Sequence, residues 1–263
     1  MIKIDNGICP FYKFLNLSSQ RGILHFVSSG AKTIGFSEGE SSEIVCANRI
    51  ALAAAVGFKP NSLITGHQVH STNIAVVTEI DVGRGALDRE SRLPDTDALV
   101  TNREGICLMV LSADCVPILL YDPVHRVIAA IHAGWRGTAA EIVAKTIRVM
   151  QTTFNCSPEH ILAAIGPSIG QCCFEVGEEV AETFNTLFPK QKGIVETGKS
   201  LGKYQVDLWA ANQRELIKAG LTPPHIEVAG ECSVCSPEKF FSYRRNGTDA
   251  GRFGAGIMIL KNH

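Results

Sequence analysis

Three apolar segments in the middle of the chain each end in a polar cluster, and they limit the folds that the chain can adopt. They are ICLMVLSADC (106–115), VIAAIHAGWRG (127–137) and ILAAIGPSIGQCC (161–173). Each segment is too uniformly apolar for a strand with one face in water, which predicts strands buried on both faces. Residues 138–154, between the last two segments, have helical periodicity. The order strand, helix, strand predicts an α/β fold with helices packed on the sheet.

Other patterns add elements around this centre. Residues 81–95 are charged and contain glycine and arginine, which is typical of an exposed loop that acts as a lid. The chain has no internal repeat, low-complexity tract or proline-rich linker, so we expect a single domain over residues 1–263. Periodicity predicts helices at 43–57, 176–188 and 204–220 and strands at 74–78 and 253–260.

The overall charge excludes several classes of partner. The chain has 25 basic and 26 acidic residues and a formal charge of −1, so no global field attracts nucleic acid or an anionic membrane. The first 19 residues lack the features of a signal peptide, and no run of about 18 apolar residues occurs, so we expect a cytoplasmic protein. Nine cysteines, an odd number in a chain of this length, argue against a disulfide framework.

Three segments carry histidine or cysteine at the end of an apolar run or in a tight turn, namely 66–71, 112–117 and 132–137. Imidazole and thiolate are good ligands for zinc, and three protein ligands with an open fourth position are typical of a catalytic zinc site. Residue type alone leaves the alternative open, because a histidine or cysteine at such a position is also a common core residue.

The order and the residues of several motifs indicate a known family. The chain resembles the laccase-domain, or multicopper polyphenol oxidoreductase, family, also known as purine nucleoside phosphorylases and YfiH-like proteins. The resemblance covers roughly residues 60–260 and implies a three-layer α/β/α domain with a mixed sheet, similar to a bacterial toxin of the cysteine hydrolase type. The motifs that carry it are GHQVHSTNIAVV, TDALVTN, LSADCVPILLYDP, VIAAIHAGWRGT, AAIGPSIGQCCFEVGEEV, YQVDLWAANQREL and CSVCSPEKFFSYRRNGTDAGRFGAGIMI.

The resemblance also implies a metal site and an activity. It implies that His70, Cys115 and His132 bind one metal ion per chain, zinc rather than copper. It implies transferase and hydrolase activities on purine nucleosides: phosphorolysis of adenosine, inosine, guanosine and methylthioadenosine to the free base and ribose 1-phosphate, and deamination of adenosine to inosine. The partners are then purine nucleosides and phosphate, while protein partners and oligomeric state stay open.

Phosphorolysis requires cationic groups near the metal to orient phosphate. Arg136 lies at the start of a predicted helix, where backbone N–H groups also favour an anion, although a solvated or paired arginine is an equal alternative. In the segment SYRRNG (242–247), Arg245 is the second catalytic candidate, and Arg244 and Tyr243 are candidates for substrate binding. Asp114 either orients a metal ligand and carries a proton or caps the end of a strand.

Four further features stay outside this site. His67 has no clear place, and GFSEGE (35–40) departs from the GFSTR segment of the family. Cys172 and Cys173 are either reactive thiols or packed residues. Residues 225–235 contain H-x-E and C-x-x-C, but the spacing does not match a zinc nucleobase deaminase, and one C-x-x-C without a second pair is too little for a zinc ribbon.

Three other functions remain as alternatives. A copper-dependent oxidase of phenols is disfavoured, because the chain has eight histidines and no H-x-H motif. A metal-free hydrolase would use Cys115 as nucleophile and His132 as base. A regulatory protein that binds a ligand without turnover is the third alternative.

Overall fold

The computed structural model of the chain describes residues 1–36, 40–189 and 192–261. Within these ranges it contains fifteen strands and seven α-helices. The strands are β1 (Ile2–Ile4), β2 (Phe11–Lys13), β3 (Ile23–Ser28), β4 (Leu63–Ile64), β5 (Ile74–Val76), β6 (Ala98–Thr101), β7 (Cys107–Ser112), β8 (Val116–Asp122), β9 (Val127–Ala133), β10 (Leu162–Ile165), β11 (Glu175–Val176), β12 (Val195–Thr197), β13 (Tyr204–Val206), β14 (Ile226–Val228) and β15 (Phe253–Ile259). The helices are α1 (Leu15–Ser18), α2 (Ser42–Val56), α3 (Trp135–Ala139), α4 (Ile142–Phe154), α5 (Glu178–Leu187), α6 (Leu208–Lys218) and α7 (Tyr243–Asn246). None of the described helices is both long and apolar enough to span a membrane.

Most strands belong to two large mixed sheets. The first has the strand order β1-β2-β3-β15-β7-β4 and the second the order β14-β10-β8-β9-β6-β5, while β11, β13 and β12 form a small third sheet. Both large sheets combine antiparallel pairs with parallel ones, such as β4 with β7 and β10 with β14. The prediction of an α/β fold with mixed strand directions is therefore confirmed.

The two large sheets pack face to face, and helices cover their outer faces. Leu108 of β7, Leu119 of β8 and Ile257 of β15 belong to the core between the sheets. Helix α2 packs on the outside of the first sheet, and α4 and α6 pack on the outside of the second. The resulting order is helix, sheet, sheet, helix, whereas the resemblance implied three layers around one mixed sheet. An apolar strand reveals that both of its faces are buried but not whether a helix or another sheet covers them.

The predicted strands and helices are present, with informative shifts at their ends. The segment 138–154, predicted as one helix, is divided into α3 and α4 at Glu141, whose φ of 60° lies in the left-handed region. The segment 204–220 begins as β13, the central strand of the small third sheet. Its helix starts only after the N-cap Asp207, whose side chain accepts a hydrogen bond from the N–H of Ala210. A left-handed residue decides the first of these boundaries and a side-chain cap the second, where apolar periodicity does not.

The buried histidine of β3 makes the stability of the fold dependent on pH. His25 is 2% exposed, and its Nε2 accepts a hydrogen bond from the N–H of Phe14 at 3.0 Å. Burial, together with the charge of Lys13, lowers the pKa of His25 from 6.5 to about 4. As the pH falls through 6.5, the unfolded chain therefore takes up a proton at His25. The folded chain takes up this proton only when the pH falls to about 4.

We expect the free energy of unfolding to fall by about 3 kcal/mol between pH 7 and pH 4 on account of His25. The variant His25→Gln keeps an acceptor but cannot be protonated, so its loss of stability over this range is smaller by that amount. Urea unfolding at both pH values measures the difference, and the exposed His160→Gln variant is the control. Equal pH dependence of the wild type and His25→Gln would contradict the assignment.

Candidate functional site

The buried carboxylate of Asp97 organises the polar ends of the central strands. Asp97 immediately precedes β6 and is fully buried. Its Oδ1 accepts hydrogen bonds from His132 Nδ1 at 2.8 Å and from the N–H of His70 at 3.0 Å. Its Oδ2 accepts bonds from the N–H and Oγ of Ser71, both at 2.7 Å, and from the N–H of Val69 at 3.2 Å. One carboxylate thus fixes both an imidazole ring and a turn.

The turn at residues 69–71 wraps around that carboxylate. His70 has a φ of 61°, a left-handed conformation that non-glycine residues adopt rarely. Three successive N–H groups point at Asp97, and backbone in this conformation forms an anion-binding concavity. The hydrogen bonds offset the strain of the left-handed residue.

Strand pairing brings Cys115 next to His132. Cys115 immediately precedes β8, and the β8–β9 ladder pairs Val116 with Ala133 and Pro117 with His132. Asp114, in the turn between β7 and β8, has a φ of 91°. The sharp change of direction there places Cys115 at the end of β9 that carries His132.

His70, Cys115 and His132 converge on one point. Their donor atoms all lie within 4.8 Å of one another, and the His70 Nε2 to Cys115 Sγ distance is 3.7 Å. A Cβ atom at Gly134 would lie 2.8 Å from His70 Cδ2 and 3.1 Å from Cys115 Sγ, so the close approach requires glycine there. Nitrogen and sulfur ligands of a tetrahedral zinc ion lie about 3.6 Å apart, so the three residues fit such an ion.

The charges of this group favour a thiolate at neutral pH. Burial alone raises the pKa of the Cys115 thiol, but the neighbouring imidazoles of His132 and His70 lower it to about 6. Burial lowers the pKa of His132, but Cys115 and the hydrogen bond to Asp97 raise it to about 9. Burial raises the pKa of Asp97, but its bonds from His132 and Ser71 lower it to about 2. Since Nδ1 of His132 is bonded to Asp97, Nε2 is left to face Cys115 or a metal ion.

The three residues line a cavity of about 640 Å³. This volume is in the usual range for sites that bind small molecules. Seven of its lining residues are large and apolar or aromatic, and four are arginines. The apolar and aromatic ones are Phe36, Leu111, Trp135, Ile169, Phe174, Leu208 and Tyr243, and the arginines are Arg89, Arg92, Arg244 and Arg252.

The four arginines concentrate positive charge at the cavity in a chain without net positive charge. Arg89 and Arg92 lie in the predicted 81–95 loop, and Arg92 Nε donates to the carbonyl of Arg89 at 2.7 Å. Burial and the charge of Arg89 lower the pKa of Arg92. Burial likewise lowers the pKa of Arg252. The negative charges of the nearby Cys115 and Asp114 partly oppose this shift. An anion bound beside Arg92 would relieve the repulsion between its charge and that of Arg89.

Asp114, Tyr243 and Arg244, all predicted from the sequence, line the cavity. The carboxylate of Asp114 accepts bonds from Ser233 Oγ and from the N–H of Arg244, both at 2.6 Å, so it anchors the start of α7. The sequence offers Asp114 as a carboxylate that orients a metal ligand, whereas the structure places Asp97 against the His132 ring. Tyr243 is 52% exposed, and the Arg244 guanidinium lies 5.6 Å from the centre of the Phe174 ring.

Arg136 and Arg245, the two predicted catalytic arginines, lie elsewhere. Arg136 is exposed, and its guanidinium stacks 4.5 Å from the Trp135 ring. The guanidinium of Arg245 donates to the carbonyls of Ser233 at 2.8 Å and Phe240 at 2.9 Å, among others, and so holds a loop together. Neither is among the described residues that line the cavity.

Sequence reasoning missed Asp97, Arg92 and Arg252. Asp97 belongs to the motif TDALVTN, but only its contact with His132 shows what it does. The exposed His67 lines the cavity, 3.5 Å from Asp95, outside the three-residue group. In the GFSEGE segment, Gly35 and Phe36 line the cavity, while residues 37–39 lie outside the described residues.

Comparison with known proteins identifies relatives over nearly the whole chain. The purine nucleoside phosphorylase of Bacteroides thetaiotaomicron is 38% identical over 258 residues, which cover 94% of this chain and 95% of the relative. The adenosine deaminase RL5, from an unknown prokaryotic organism, is 40% identical over 209 residues, which cover 80% of this chain and 79% of the relative.

A solved structure and a family model agree with these matches. The crystal structure of the hypothetical protein YfiH from Bacillus licheniformis superposes with a TM-score of 0.90 at 28% identity, covering 98% of this chain and 99% of that one. The family model described as multi-copper polyphenol oxidoreductase laccase matches residues 27–260. The chain therefore belongs to the multi-copper polyphenol oxidoreductase laccase family.

Proposed function

We propose that this protein is a zinc-dependent purine nucleoside enzyme that catalyses both phosphorolysis and adenosine deamination. The observation that carries the proposal is the convergence of His70 Nε2, Cys115 Sγ and His132 beside a cavity lined by aromatic residues and arginines. Three such donors with an open fourth position are the donor set of a catalytic zinc site. The relatives named above as a purine nucleoside phosphorylase and an adenosine deaminase support the choice of substrate class.

A zinc ion held by His70, Cys115 and His132 would lower the pKa of water from about 15.7 towards about 7 and so would supply the nucleophile that deamination at purine C6 requires. The residues of this chain hold and orient the reactants. Asp97 keeps His132 in the tautomer whose Nε2 is free to bind a metal ion. Phe174, Trp135 and Tyr243 offer flat surfaces on which a purine base can pack.

Phosphorolysis needs phosphate aligned with the glycosidic bond, and the cavity arginines supply the charge. Arg92 and Arg89 on the 81–95 loop and Arg252 before β15 line the same cavity as Cys115. Guanidinium groups bind phosphate oxygens through paired N–H donors, and an arginine cluster stabilises the charge that develops during transfer. Arg244 lies on the wall near Phe174 and extends this positive surface.

One observation favours a second candidate function. The thiolate–imidazolium character of Cys115 and His132 is also that of a cysteine hydrolase, in which Cys115 attacks and His132 moves the proton. Zinc on the thiolate would block that role, so the two functions exclude each other at one site. Removal of metal by a chelator, followed by return of zinc, separates them, because zinc restores a metalloenzyme but inhibits a thiol hydrolase.

The first prediction concerns the metal and the activity together. Zinc-replete wild type should convert adenosine to inosine without phosphate, and to adenine and ribose 1-phosphate with it. In Cys115→Ala the zinc content should fall by about one equivalent per chain and both activities to the blank. Cys46→Ala, which removes a partly buried cysteine outside the site, is the matched control. Unchanged zinc in Cys115→Ala, or bound copper with oxygen consumption on phenols, would refute the proposal.

The second prediction concerns Asp97. Asp97→Asn keeps the shape of the side chain but removes the anionic acceptor for His132 Nδ1, so zinc affinity should fall roughly 10- to 100-fold. Competition against a chromogenic chelator measures the affinity. Asp207→Asn, at the N-cap of α6, is the control, because aspartate and asparagine cap helices equally well. Equal zinc affinity of Asp97→Asn and the wild type would contradict the positioning role.

The third prediction concerns phosphate. In Arg92→Gln, kcat/KM for phosphate should fall roughly 10- to 100-fold, the effect of losing a charged hydrogen bond, while deamination, which uses no phosphate, should be retained. Arg103→Gln is the control, because Arg103 pairs with Glu79 at 3.2 Å and does not line the described cavity. Parallel losses of both reactions in Arg92→Gln would assign Arg92 to structure or to nucleoside binding instead.

A further inference from the structure

Four cysteines from two chain segments that are far apart in sequence form a cluster separate from His70, Cys115 and His132. The sulfur atoms of Cys172, Cys173, Cys232 and Cys235 all lie within 4.8 Å of one another. Two of these residues follow β10, and two lie in the loop after β14. The four cysteines therefore come from two chain segments that the fold brings together.

Backbone hydrogen bonds hold the two segments in register. Ser168 and Cys232 form a parallel bridge, in which the N–H of Ser168 donates to the carbonyl of Glu231 at 3.2 Å and the N–H of Ser233 donates to the carbonyl of Ser168 at 2.9 Å. Residues 171–173 form a turn, closed by a bond from the N–H of Cys173 to the carbonyl of Gly170 at 2.9 Å. The turn gathers both adjacent sulfurs on one side, whereas extended backbone would direct them apart.

The cluster contains a second cysteine pair, which cannot be recognised from the spacing in the sequence. The C-x-x-C of residues 232–235 is by itself too little for a zinc site, because a tetrathiolate needs two pairs. The second pair is the adjacent Cys172 and Cys173, a spacing that does not resemble the usual C-x-x-C and that becomes meaningful only once the turn is seen.

The distances match a tetrahedral metal site. Cys172 Sγ lies 3.7 Å from Cys173 Sγ and 3.8 Å from Cys235 Sγ, and Cys173 Sγ lies 3.4 Å from Cys235 Sγ. With zinc–sulfur bonds of about 2.3 Å, the edge of a regular sulfur tetrahedron is about 3.8 Å. A disulfide needs about 2.05 Å, and all nine cysteines have free thiols.

Cys232 has the surroundings of a bound thiolate. The N–H of Gly170 donates to Cys232 Sγ at 3.3 Å. An N–H donor aimed at sulfur stabilises the negative charge of a thiolate, which is the form that binds metal.

We propose that Cys172, Cys173, Cys232 and Cys235 bind a second zinc ion, as a closed structural site with four thiolate ligands. Four soft sulfur donors select zinc over the hard cations magnesium and calcium. Since all four positions around the metal are filled by protein, this ion does no chemistry of its own. The proposal rests on these cysteines alone and does not depend on the function proposed above.

The second site contacts residues that line the cavity. Arg244 donates from Nη1 to the carbonyl of Cys173 at 3.0 Å. Ser233, within the C-x-x-C turn, donates from Oγ to Asp114, the neighbour of Cys115. A metal ion that joins the two cysteine turns therefore holds the side chains of Arg244 and Asp114 in place. Loss of the metal should make both side chains more mobile.

Element-specific metal analysis tests the proposal. Wild type purified with zinc should contain about two equivalents, Cys115→Ala about one, Cys235→Ser about one, and the double variant none, whereas the control Cys46→Ser should keep two. Circular dichroism verifies that each variant is folded. X-ray absorption at the zinc edge of Cys115→Ala should give four sulfur neighbours at about 2.3 Å. A folded Cys235→Ser with the zinc content of wild type overturns the second site, and a Cys115→Ala variant that keeps two equivalents of zinc overturns only the first.

Thiol labelling of the wild type tests the proposal without any variant. Cys172 and Cys235 are exposed, so free thiols at these positions should react at once with a thiol reagent. We expect both to be protected in the zinc-loaded protein and released when a strong chelator is added, as followed residue by residue by peptide mass spectrometry. Immediate labelling before chelation, or a disulfide among the four cysteines in freshly purified protein, would overturn the proposal.

Discussion

The hydrogen bonds of the Asp97 carboxylate are the interaction on which the candidate site depends. A fully buried carboxylate must be compensated, and here the side chain of His132, the hydroxyl of Ser71 and the backbone of residues 69–71 provide the compensation. Those same bonds place His70 in a left-handed turn and leave Nε2 of His132 free. The hydrogen bonds that compensate one buried charge therefore position two of the three proposed ligands, His70 and His132.

The two-sheet architecture explains why the site lies where it does. The second sheet places β6, β9 and β8 side by side, so residues at their ends become neighbours although they are distant in sequence. Its strands are buried by helices on one side and by the first sheet on the other, so polar side chains are confined to the strand ends. The cavity forms there, closed on one side by the 81–95 loop and on another by α7.

The apolar runs predicted the buried strands, because hydrophobic pattern reflects burial directly. The partners of polar groups could not be predicted in this way. Asp97 and Asp114 are both aspartates at strand ends, and only the fold decides that Asp97 meets His132 while Asp114 meets Ser233. Arg245 and Arg92 likewise look alike in sequence, but only the fold decides that Arg245 bonds to carbonyl groups outside the cavity while Arg92 lines the cavity. The pairing of Cys172 with Cys173 depends on a turn that has no sequence signature.

Diffraction from crystals of zinc-loaded protein, recorded at the zinc absorption edge, tests the central claim most directly. We expect an anomalous peak about 2.3 Å from Cys115 Sγ and about 2.0–2.1 Å from Nε2 of both His70 and His132, with the bond from His132 Nδ1 to Asp97 intact. An absence of metal at this position, with Cys115 and His132 in direct contact as an ion pair, would contradict the account and favour the thiol hydrolase.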